Sequence, residues 1–290
     1  MLSPYLVENR HIAIKRCRHG LFMYNRNDAY IGRGLDLYGE WCDFEIQTLR
    51  PFVKLGDTVV DVGANIGTHT IAFANMVGPT GTVHAFEPQR RSFLTLGGNV
   101  ALNALDNVFC RQQAVGDTVG EISLPSLPPP ETFFNFGNVS IASASGPGET
   151  VPLITLDSLK LEACRLVKID AEEMEPKVLA GARRTIKDCQ PTLYVENDRP
   201  GGSRSLGSLL KELDYKAYWS IFPYFDPHNF YSNTVNVWAD YSPSLKLMPS
   251  VNLLCFPAQS SADVGDLEPF LGENDDWQAA LQRARNRPRK

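Results

Sequence analysis

The fold is decided by one stretch of sequence, Val59-Val60-Asp61-Val62-Gly63-Ala64-Asn65-Ile66-Gly67-Thr68-His69-Thr70. An apolar, β-branched run enters it, glycines interrupt it, and the apolar segment 70–74 leaves it with helical potential. This pattern predicts a strand, a tight turn and a helix, which is how a nucleotide-binding α/β domain begins. Glycine lets the backbone approach a ligand closely, and the helix start offers N–H groups without partners. Asp61, at the end of the strand, could bind an amine or a ribose.

A second predicted strand, over residues 82–86, ends at an acidic residue. Glu87 follows Gly67 by 20 positions. Dinucleotide-binding folds place an acidic side chain about 20 residues after the glycine turn, where it accepts hydrogen bonds from the ribose hydroxyls. After a further predicted helix and strand, Ala114-Val115-Gly116-Asp117 is the third loop at a strand end, and in such a sheet that loop lies beside the purine.

The alternation of strands and helices continues to residue 197. A strand over 166–170 precedes a predicted helix over 172–186, and the strand 192–195 runs into Glu196-Asn197-Asp198. This alternation predicts an α/β fold with a doubly wound, mostly parallel sheet. Ligands bind outside the carboxyl ends of the strands in such sheets. Four acidic residues fall at those ends: Asp61, Glu87, Asp170 and Glu196.

Composition narrows the class of protein. A chain of 290 residues suits one large domain or one domain with appendages. A net charge of -5 and a pI near 5.6 argue against a dedicated nucleic-acid binder, which is usually basic. The six cysteines lack metal-type or disulfide-framework spacing, so we expect reduced thiols in a cytoplasmic protein. Neither a secretory signal pattern nor a stretch long enough to span a bilayer is evident.

Three flanking segments have more than one interpretation. Residues 1–37 are predicted to form one or two hairpins, whose basic residues are either a solvated cover or a patch that binds the acceptor. Residues 38–52 approximate one helical face. The aromatic run between Phe222 and Tyr231 is either a lid that stacks on a sugar or a small satellite core.

Taken in order, the motifs resemble those of the FkbM-type family of S-adenosylmethionine-dependent methyltransferases. Five segments carry this resemblance across roughly 140 residues: 61–67, 86–88, 114–117, 167–172 and 194–197. Residues 38–41 and 251–254 are similar to flanking segments of some bacterial members. One departure is Ala171-Glu172-Glu173, where the family more often has Val-Glu-Gly, and the missing glycine is expected to narrow the space at the strand end.

The resemblance implies a class I, Rossmann-like methyltransferase fold with an N-terminal extension. The implied boundaries are an extension over 1–50, a methyltransferase domain over 51–260 and a C-terminal tail over 261–290. The implied activity is O-methylation of a hydroxyl on a sugar, glycolipid or secondary metabolite, with a small-molecule or glycan acceptor and no nucleic acid. The expected cofactor is S-adenosylmethionine, which has no phosphate, in keeping with a Gly63-xxx-Gly67 turn that differs from a pyrophosphate cradle.

Roles follow from the resemblance. The turn from Gly63 to Gly67 is expected to pass under the methionine part, Glu87 to bind the ribose, and Ala114 and Val115 to flank the adenine. The full expected cofactor-binding set is Asp61, Gly63, Ala64, Asn65, Gly67, Thr68, Glu87, Ala114, Val115 and Asp170.

The reaction needs an aligned acceptor oxygen and a group that takes one proton. Asp170 and Glu196 are the candidate catalytic residues. A sharper hypothesis is that Asp170, Glu196 and Asn197 hold a divalent cation such as Mg²⁺, because this pattern is similar to the metal site of catechol-type O-methyltransferases. Lys168 is interpreted as an ion-pair partner, or as a residue that steers the hydroxyl in a ribose 2'-O-methyltransferase. His69 is interpreted as a packing residue, and a non-catalytic S-adenosylmethionine-binding module remains an alternative.

Overall fold

The structure is a computed structural model that describes residues 5–137, 139, 148–199, 201–239 and 249–286. Its strands are β1 (Tyr5–Glu8), β2 (Ile12–Cys17), β3 (Gly20–Asn25), β4 (Thr58–Val62), β5 (Thr82–Phe86), β6 (Val108–Arg111), β7 (Ala114–Val115), β8 (Gly120–Pro125), β9 (Gly148–Ile154), β10 (Leu166–Ile169), β11 (Thr192–Glu196), β12 (Tyr215–Pro223), β13 (Pro249–Pro257) and β14 (Glu268–Pro269). Its α-helices are α1 (Ile31–Tyr38), α2 (Asp43–Leu49), α3 (Thr68–Val77), α4 (Arg90–Leu102), α5 (Glu175–Ala180), α6 (Arg183–Cys189), α7 (Gly202–Glu212) and α8 (Trp277–Asn286).

Eight strands form the central sheet, in the order β14-β12-β13-β11-β10-β4-β5-β6. The five strands from β11 to β6 are parallel, whereas β13, β12 and β14 join as antiparallel strands. The predicted doubly wound, mostly parallel sheet is therefore confirmed. The chain leaves β4 toward β5 on one side and later returns to β10 on the other, so the strand order reverses between β4 and β10. Ligands bind at such a reversal in open α/β sheets.

Apolar residues cover both faces of this sheet. Alternate residues of a strand point to opposite faces, and Val60 and Val62 of β4 accordingly lie in one buried cluster while Val59 lies in another. Helix α3 supplies Phe73 and Val77 to the second cluster, and both are fully buried. The sheet is thus held rigidly between two apolar layers, which fixes the relative positions of its strand ends.

The N-terminal residues form a separate three-stranded sheet, β1-β2-β3. It docks on α4 through two asparagines, because Asn99 Oδ1 and Asn103 Oδ1 accept hydrogen bonds from the backbone N–H groups of Met23 and Leu21 at 2.6 and 2.8 Å. The predicted hairpins are confirmed. The helix predicted within 38–52 is present as α2, but it begins only at Asp43, because Gly39 ends α1 with a left-handed φ of 68°.

The predicted helix over 172–186 is divided into two. Helix α5 ends at Ala180 and α6 begins at Arg183. Gly181 lies between them with its Cα against a loop, where a Cβ would come within 2.0 Å of the carbonyl oxygen of Gly116. This close approach requires glycine and turns the chain, so one straight helix cannot form there.

The C-terminal residues pack on the sheet. Strand β14 pairs with β12, and Ala280 of α8 is fully buried against the main cluster. Arg283 in the last turn of α8 forms an ion pair with Asp275 at 2.8 Å. Among the described residues, none of the helices is both long and apolar enough to cross a membrane.

Candidate functional site

A cavity of about 1280 Å³, open to solvent, lies at the carboxyl ends of β4, β5, β10 and β11. Nine of the residues predicted to form the site line it: Gly63, Ala64, Asn65, Thr68, Glu87, Ala114, Val115, Asp170 and Glu196. Three others, Asp61, Gly67 and Asn197, are not among the lining residues. The sequence motifs, which are far apart along the chain, therefore meet around one space.

The turn after β4 is wedged between the two neighbouring strands. The backbone N–H groups of Gly63 and Ala64 donate hydrogen bonds to the carbonyl oxygen of Phe86, at 3.0 and 2.9 Å. On the other side, a Cβ at position 63 would lie 1.7 Å from the carbonyl oxygen of Asp170. Gly63 has a φ of 77°. This glycine is required both for its backbone conformation and for the close approach of β10.

Glu87 is held by backbone donors at the end of β5. Its Oε2 accepts a hydrogen bond from the N–H of Asn65 at 2.9 Å, and its Oε1 accepts one from the N–H of Gln89 at 2.7 Å. Burial raises the pKa of the Glu87 carboxyl to about 7, and the charges of Asp170 and Asp61 add to the shift. The carboxyl is thus fixed at the cavity wall, with lone pairs left to accept further hydrogen bonds.

Asp61 and Lys168 form a buried support under the site. Asp61 Oδ2 accepts a hydrogen bond from Thr70 Oγ1 at 2.6 Å. Lys168 Nζ lies 3.8 Å from Asp61 Oδ1 and 3.1 Å from Asp170 Oδ2. Burial alone would lower the pKa of Lys168, but Asp170, Asp61 and Glu45 outweigh it and raise the pKa. Lys168 is therefore the ion-pair partner expected from the sequence, and it neutralises part of the acidic wall above it.

An acidic cluster forms the wall at the ends of β10 and β11. Ligand oxygens of Asp170, Glu172 and Glu196 all lie within 4.8 Å of one another. Burial and the neighbouring carboxylates, Asp170 first, raise the pKa of Glu196 well above its ordinary value. Burial and Asp170 likewise raise the pKa of Glu172 to about 8, although Arg199 pairs with it at 2.8 Å. Carboxyl groups crowded in this way bind protons or cations readily.

Asn197 lies outside this cluster. Its Nδ2 donates a hydrogen bond to Ser203 Oγ at 2.9 Å, so the side chain points toward the start of α7. Of the three residues predicted to ligate a cation, Asp170 and Glu196 lie together in the structure. The third member of their cluster is Glu172 instead of Asn197.

The cavity wall also contains a second buried polar group of residues, Glu45, His69, Ser250 and Asn252, which we call the Glu45 cluster. Glu45 Oε1 accepts hydrogen bonds from Ser250 Oγ and, at 3.2 Å, from Asn252 Nδ2. His69 Nε2 lies 3.0 Å from Glu45 Oε2. Their alignment does not make a hydrogen bond, and Nε2 has no hydrogen-bond partner among the described residues. His69 is thus part of the cavity and not simply a packing residue.

Aromatic side chains from both ends of the chain cover the cavity. Trp41 and Tyr224 lie with ring centroids 4.7 Å apart, and Tyr30 meets Tyr224 edge-on at 6.2 Å. Tyr224 belongs to the segment interpreted from sequence as a lid or a satellite core. It packs edge-on against Trp238, as in a satellite core, and it also lines the cavity. Phe136, from the segment after β8, completes this cover.

The residues missed by sequence reasoning come from strands and helices whose position the sequence does not reveal. Ser250 and Asn252 reach the cavity because β13 runs antiparallel, so that Asn252 lies opposite Glu196 in the register. Glu45 lies on α2, over the start of β13. An acidic residue one helical turn before the apolar Leu49, in a segment predicted to be helical, was the signal available in the sequence.

Three comparisons relate this chain to known proteins. The family model described as the methyltransferase FkbM domain matches residues 61–218. A search of curated proteins gives no match. Among solved structures, similarity is found to the methyltransferase FkbM from Methylobacillus flagellatus KT, with 17% identity over 69% of this chain and 44% of that chain and a TM-score of 0.42. The chain therefore spans less than half of that protein.

Two further solved structures are similar over more of their length. One is TYW2 from M. jannaschii in complex with AdoMet, with 15% identity, 87% of this chain and 89% of that chain covered, and a TM-score of 0.43. The other is a SAM-dependent O-methyltransferase from Thermotoga maritima, with 13% identity, 86% of this chain and 79% of that chain covered, and a TM-score of 0.42.

Proposed function

Because this chain belongs to the FkbM methyltransferase family, we propose that it transfers a methyl group from S-adenosylmethionine to a hydroxyl oxygen of a sugar, glycolipid or secondary metabolite. The observation that carries the proposal is the meeting of the cofactor motifs and two strand-end carboxylates, Asp170 and Glu196, around one cavity. The cavity is open to solvent, and its lining extends beyond the cofactor motifs to Trp41, Glu45 and Tyr224, which leaves space beside the cofactor. An acceptor can therefore bind beside it.

Three features of the wall fit S-adenosylmethionine. Gly63 and Ala64 contribute only backbone and a methyl group to the cavity wall, where the methionine part can lie. Glu87 offers carboxyl oxygens for the two ribose hydroxyls, in a position fixed by backbone donors. Ala114 and Val115 are small, buried and apolar, which suits the faces of an adenine ring. Asp61 supports the site from below through Thr70 and Lys168 and has no proposed contact with the cofactor.

When bound, S-adenosylmethionine supplies a methyl group on a positively charged sulfur, which an oxygen nucleophile can take with release of a neutral thioether. The protein's own task is to align the acceptor oxygen and to remove its proton. We assign both tasks to the acidic wall. Asp170 is held in place by Lys168 and orients the hydroxyl, and Glu196, whose pKa is raised by burial and by Asp170, accepts the proton.

A carboxyl with a raised pKa is a stronger base than an ordinary one once it is ionised. A cationic ligand beside Glu196 would favour the ionised form, because opposite charges lower a carboxyl's pKa. The acidic wall is thus suited to a positively charged donor and to a reaction that releases one proton.

A metal-assisted version of the same reaction is the alternative, favoured by the spacing of Asp170, Glu172 and Glu196. Hard carboxylate oxygens suit Mg²⁺, and such an ion would lower the pKa of the acceptor hydroxyl. Arg199 already neutralises Glu172, and for this reason we propose proton acceptance by Glu196 without a metal.

Two other functions have less support. In a ribose 2'-O-methyltransferase Lys168 would steer the hydroxyl. Lys168 lines the cavity, yet its ammonium is already paired with Asp61 and Asp170. A non-catalytic cofactor-binding module would not need an acidic wall at the donor site. We further propose that the protein works in the cytoplasm, as its six unpaired cysteines suit a reducing compartment.

The test is transfer of labelled methyl from S-adenosylmethionine to fractionated cell glycans, lipids and small molecules, with and without EDTA. Label that survives base treatment as an ether in one fraction supports O-methylation, and label in protein or nucleic acid alone contradicts it. An unchanged rate after EDTA supports the metal-free reaction. A rate that collapses and returns with added Mg²⁺ supports the alternative.

A further inference from the structure

The Glu45 cluster lies on the wall of the same cavity, and the proposed reaction does not use it. Glu45 and His69 are 4% and 6% exposed, so both are more than nine-tenths buried. They nevertheless line the cavity, together with Ser250 and Asn252. A carboxylate and an imidazole at such a position cost free energy to bury unless they are hydrogen-bonded.

Hydrogen bonds within the cluster satisfy only some of its buried polar atoms. Glu45 Oε1 has two donors, Ser250 Oγ and Asn252 Nδ2, and Asn252 Nδ2 also donates to Ser250 Oγ at 2.7 Å. Glu45 Oε2 faces His69 Nε2 without a hydrogen bond, and Nε2 has no other partner among the described residues. A buried imidazole nitrogen that makes no hydrogen bond points to a ligand group as its partner.

The position of the cluster indicates what that group belongs to. Asn252 of the Glu45 cluster lies directly opposite Glu196 in the pairing of β11 with β13, so the two side chains are neighbours on one face of the sheet. Tyr224 of the aromatic cover lines the same cavity. A molecule whose reacting oxygen lies at Asp170 and Glu196, under Tyr224, therefore has the Glu45 cluster beside it.

We propose that His69 and Glu45 bind a second hydroxyl group of the acceptor, separate from the one that is methylated, and so determine which acceptors are used. This inference rests on the proposed O-methyl transfer. A hydroxyl both donates and accepts hydrogen bonds, so it can donate to Glu45 Oε2 while it accepts from the imidazole. The chemistry selects a polyhydroxylated acceptor and disfavours a simple alcohol, which would leave the buried imidazole and carboxylate unpaired.

The first experiment measures methyl transfer to the cell fraction that the wild type labels, for His69→Gln and Glu45→Gln. The matched control is His228→Gln, a histidine whose side chain is 91% exposed. We expect KM for that fraction to rise by about tenfold or more in the cluster variants, with kcat changed less and the dissociation constant for S-adenosylmethionine within about twofold of the wild type. The control should behave as the wild type does.

An unchanged KM in His69→Gln overturns the inference. A loss of kcat with a shifted pH–rate profile and an unchanged KM also overturns it, because the pair would then be the proton acceptor. If Glu45→Gln does not fold, Ser250→Ala tests the same carboxylate by removing one of its donors. Failure of the wild type to label any fraction is a different result and refutes the proposed function.

The second experiment does not depend on turnover. The protein loaded with S-adenosylhomocysteine is titrated with a set of methyl hexopyranosides, which present neighbouring hydroxyls, and with cyclohexanol, and binding is followed by ligand-observed NMR. We expect at least one glycoside to bind the wild type, to bind about tenfold more weakly to His69→Gln, and cyclohexanol not to distinguish the two proteins. No binding of any glycoside to the wild type, or equal binding to both proteins, overturns the inference.

Discussion

The Cα of Gly63 lies so close to the carbonyl oxygen of Asp170 that a Cβ at position 63 would come within 1.7 Å of it. This close approach holds the turn after β4, which is proposed to bind the cofactor, against the end of β10, where the proposed catalytic carboxylate lies. We expect Gly63→Ala to lower the free energy of unfolding by more than about 3 kcal/mol, because a left-handed alanine costs about 1–2 kcal/mol and the clash with fixed backbone adds to it. Thermal unfolding and cofactor titration measure the loss.

Gly56→Ala is the matched control for that variant. Gly56 also has a positive φ, 85°, but a Cβ there would meet only Thr80 Oγ1, at 3.7 Å. It should lose about 1–2 kcal/mol and keep its affinity for S-adenosylmethionine. Equal losses in the two variants would mean that the approach of Gly63 to Asp170 does not matter.

The buried carboxyl of Glu87 predicts how cofactor affinity depends on pH. Its pKa is raised to about 7, and the ionised form is the better acceptor for ribose hydroxyls. Affinity for S-adenosylmethionine should therefore fall as the pH drops below about 7, by up to roughly tenfold per pH unit. In Glu87→Gln affinity should be about 10- to 100-fold weaker at pH 8 and nearly independent of pH between 5 and 8. Calorimetric titration at several pH values measures both effects, and a wild-type curve that is flat over this range would contradict the assignment.

The same carboxyl predicts the sign of a stability change in the unliganded protein. A folded pKa above the unfolded value of about 4.5 means that the folded state binds the proton more tightly. The stabilisation is complete below pH 4.5 and is lost as the pH rises through about 7. The unliganded wild type should then lose more stability between pH 5 and 8 than Glu87→Gln does, as read from denaturant unfolding. An equal or smaller loss in the wild type would show that Glu87 titrates normally.

Removal of the charge of Asp170 tests the catalytic assignment. Asp170→Asn should slow methyl transfer by about 10²-fold or more, because the acceptor hydroxyl loses the carboxylate that orients it, while cofactor affinity stays within a few-fold. Lys168 keeps Asp61 as its partner, so the fold should persist. Asp188→Asn, at an exposed position on α6, is the control. Full activity of Asp170→Asn would remove this residue from the mechanism.

The sequence of the loop after β10 predicts a stabilising change. Glu173 has a φ of 78°, a left-handed conformation, at the position where the family more often has glycine. Glu173→Gly removes that strain of about 1–2 kcal/mol and costs about 0.5–1 kcal/mol in backbone entropy, so a net gain of about 0.5–1 kcal/mol is expected. Glu212→Gly, in the last turn of α7, should instead destabilise by about 1 kcal/mol. A lower melting temperature of Glu173→Gly than of the wild type would contradict this account.

The grouping of the residues proposed to bind the cofactor could be predicted from sequence, because local patterns determine it. Val59 to Thr70 specify strand, turn and helix by their own periodicity and glycines, and parallel strands then bring Glu87 and Asp170 to one edge. The metal hypothesis depended on side-chain direction, which no pattern gives. Asn197 follows Glu196 directly, yet it turns away to Ser203.

The part of the cavity wall proposed to bind the acceptor could not be predicted, because its residues meet only through tertiary structure. Glu45 and Asn252 are 207 positions apart and are joined by an antiparallel strand whose direction the sequence does not show. The helix boundaries have the same cause. A Cβ at Gly39 would meet the side chains of Phe230 and Tyr231, and one at Gly181 would meet the backbone of Gly116, and neither contact can be read from a helical pattern.

Most of the acceptor-facing wall lies outside the segment that defines the family. Residues 61–218 include the cofactor turn, Glu87 and the acidic wall, whereas Trp41, Glu45, Tyr224 and Ser250 come from before and after it. Two members of the family can consequently share a donor and differ in most of the residues that surround the acceptor. Engineering of a new acceptor range should then begin with the two flanking segments and leave the donor motifs unaltered.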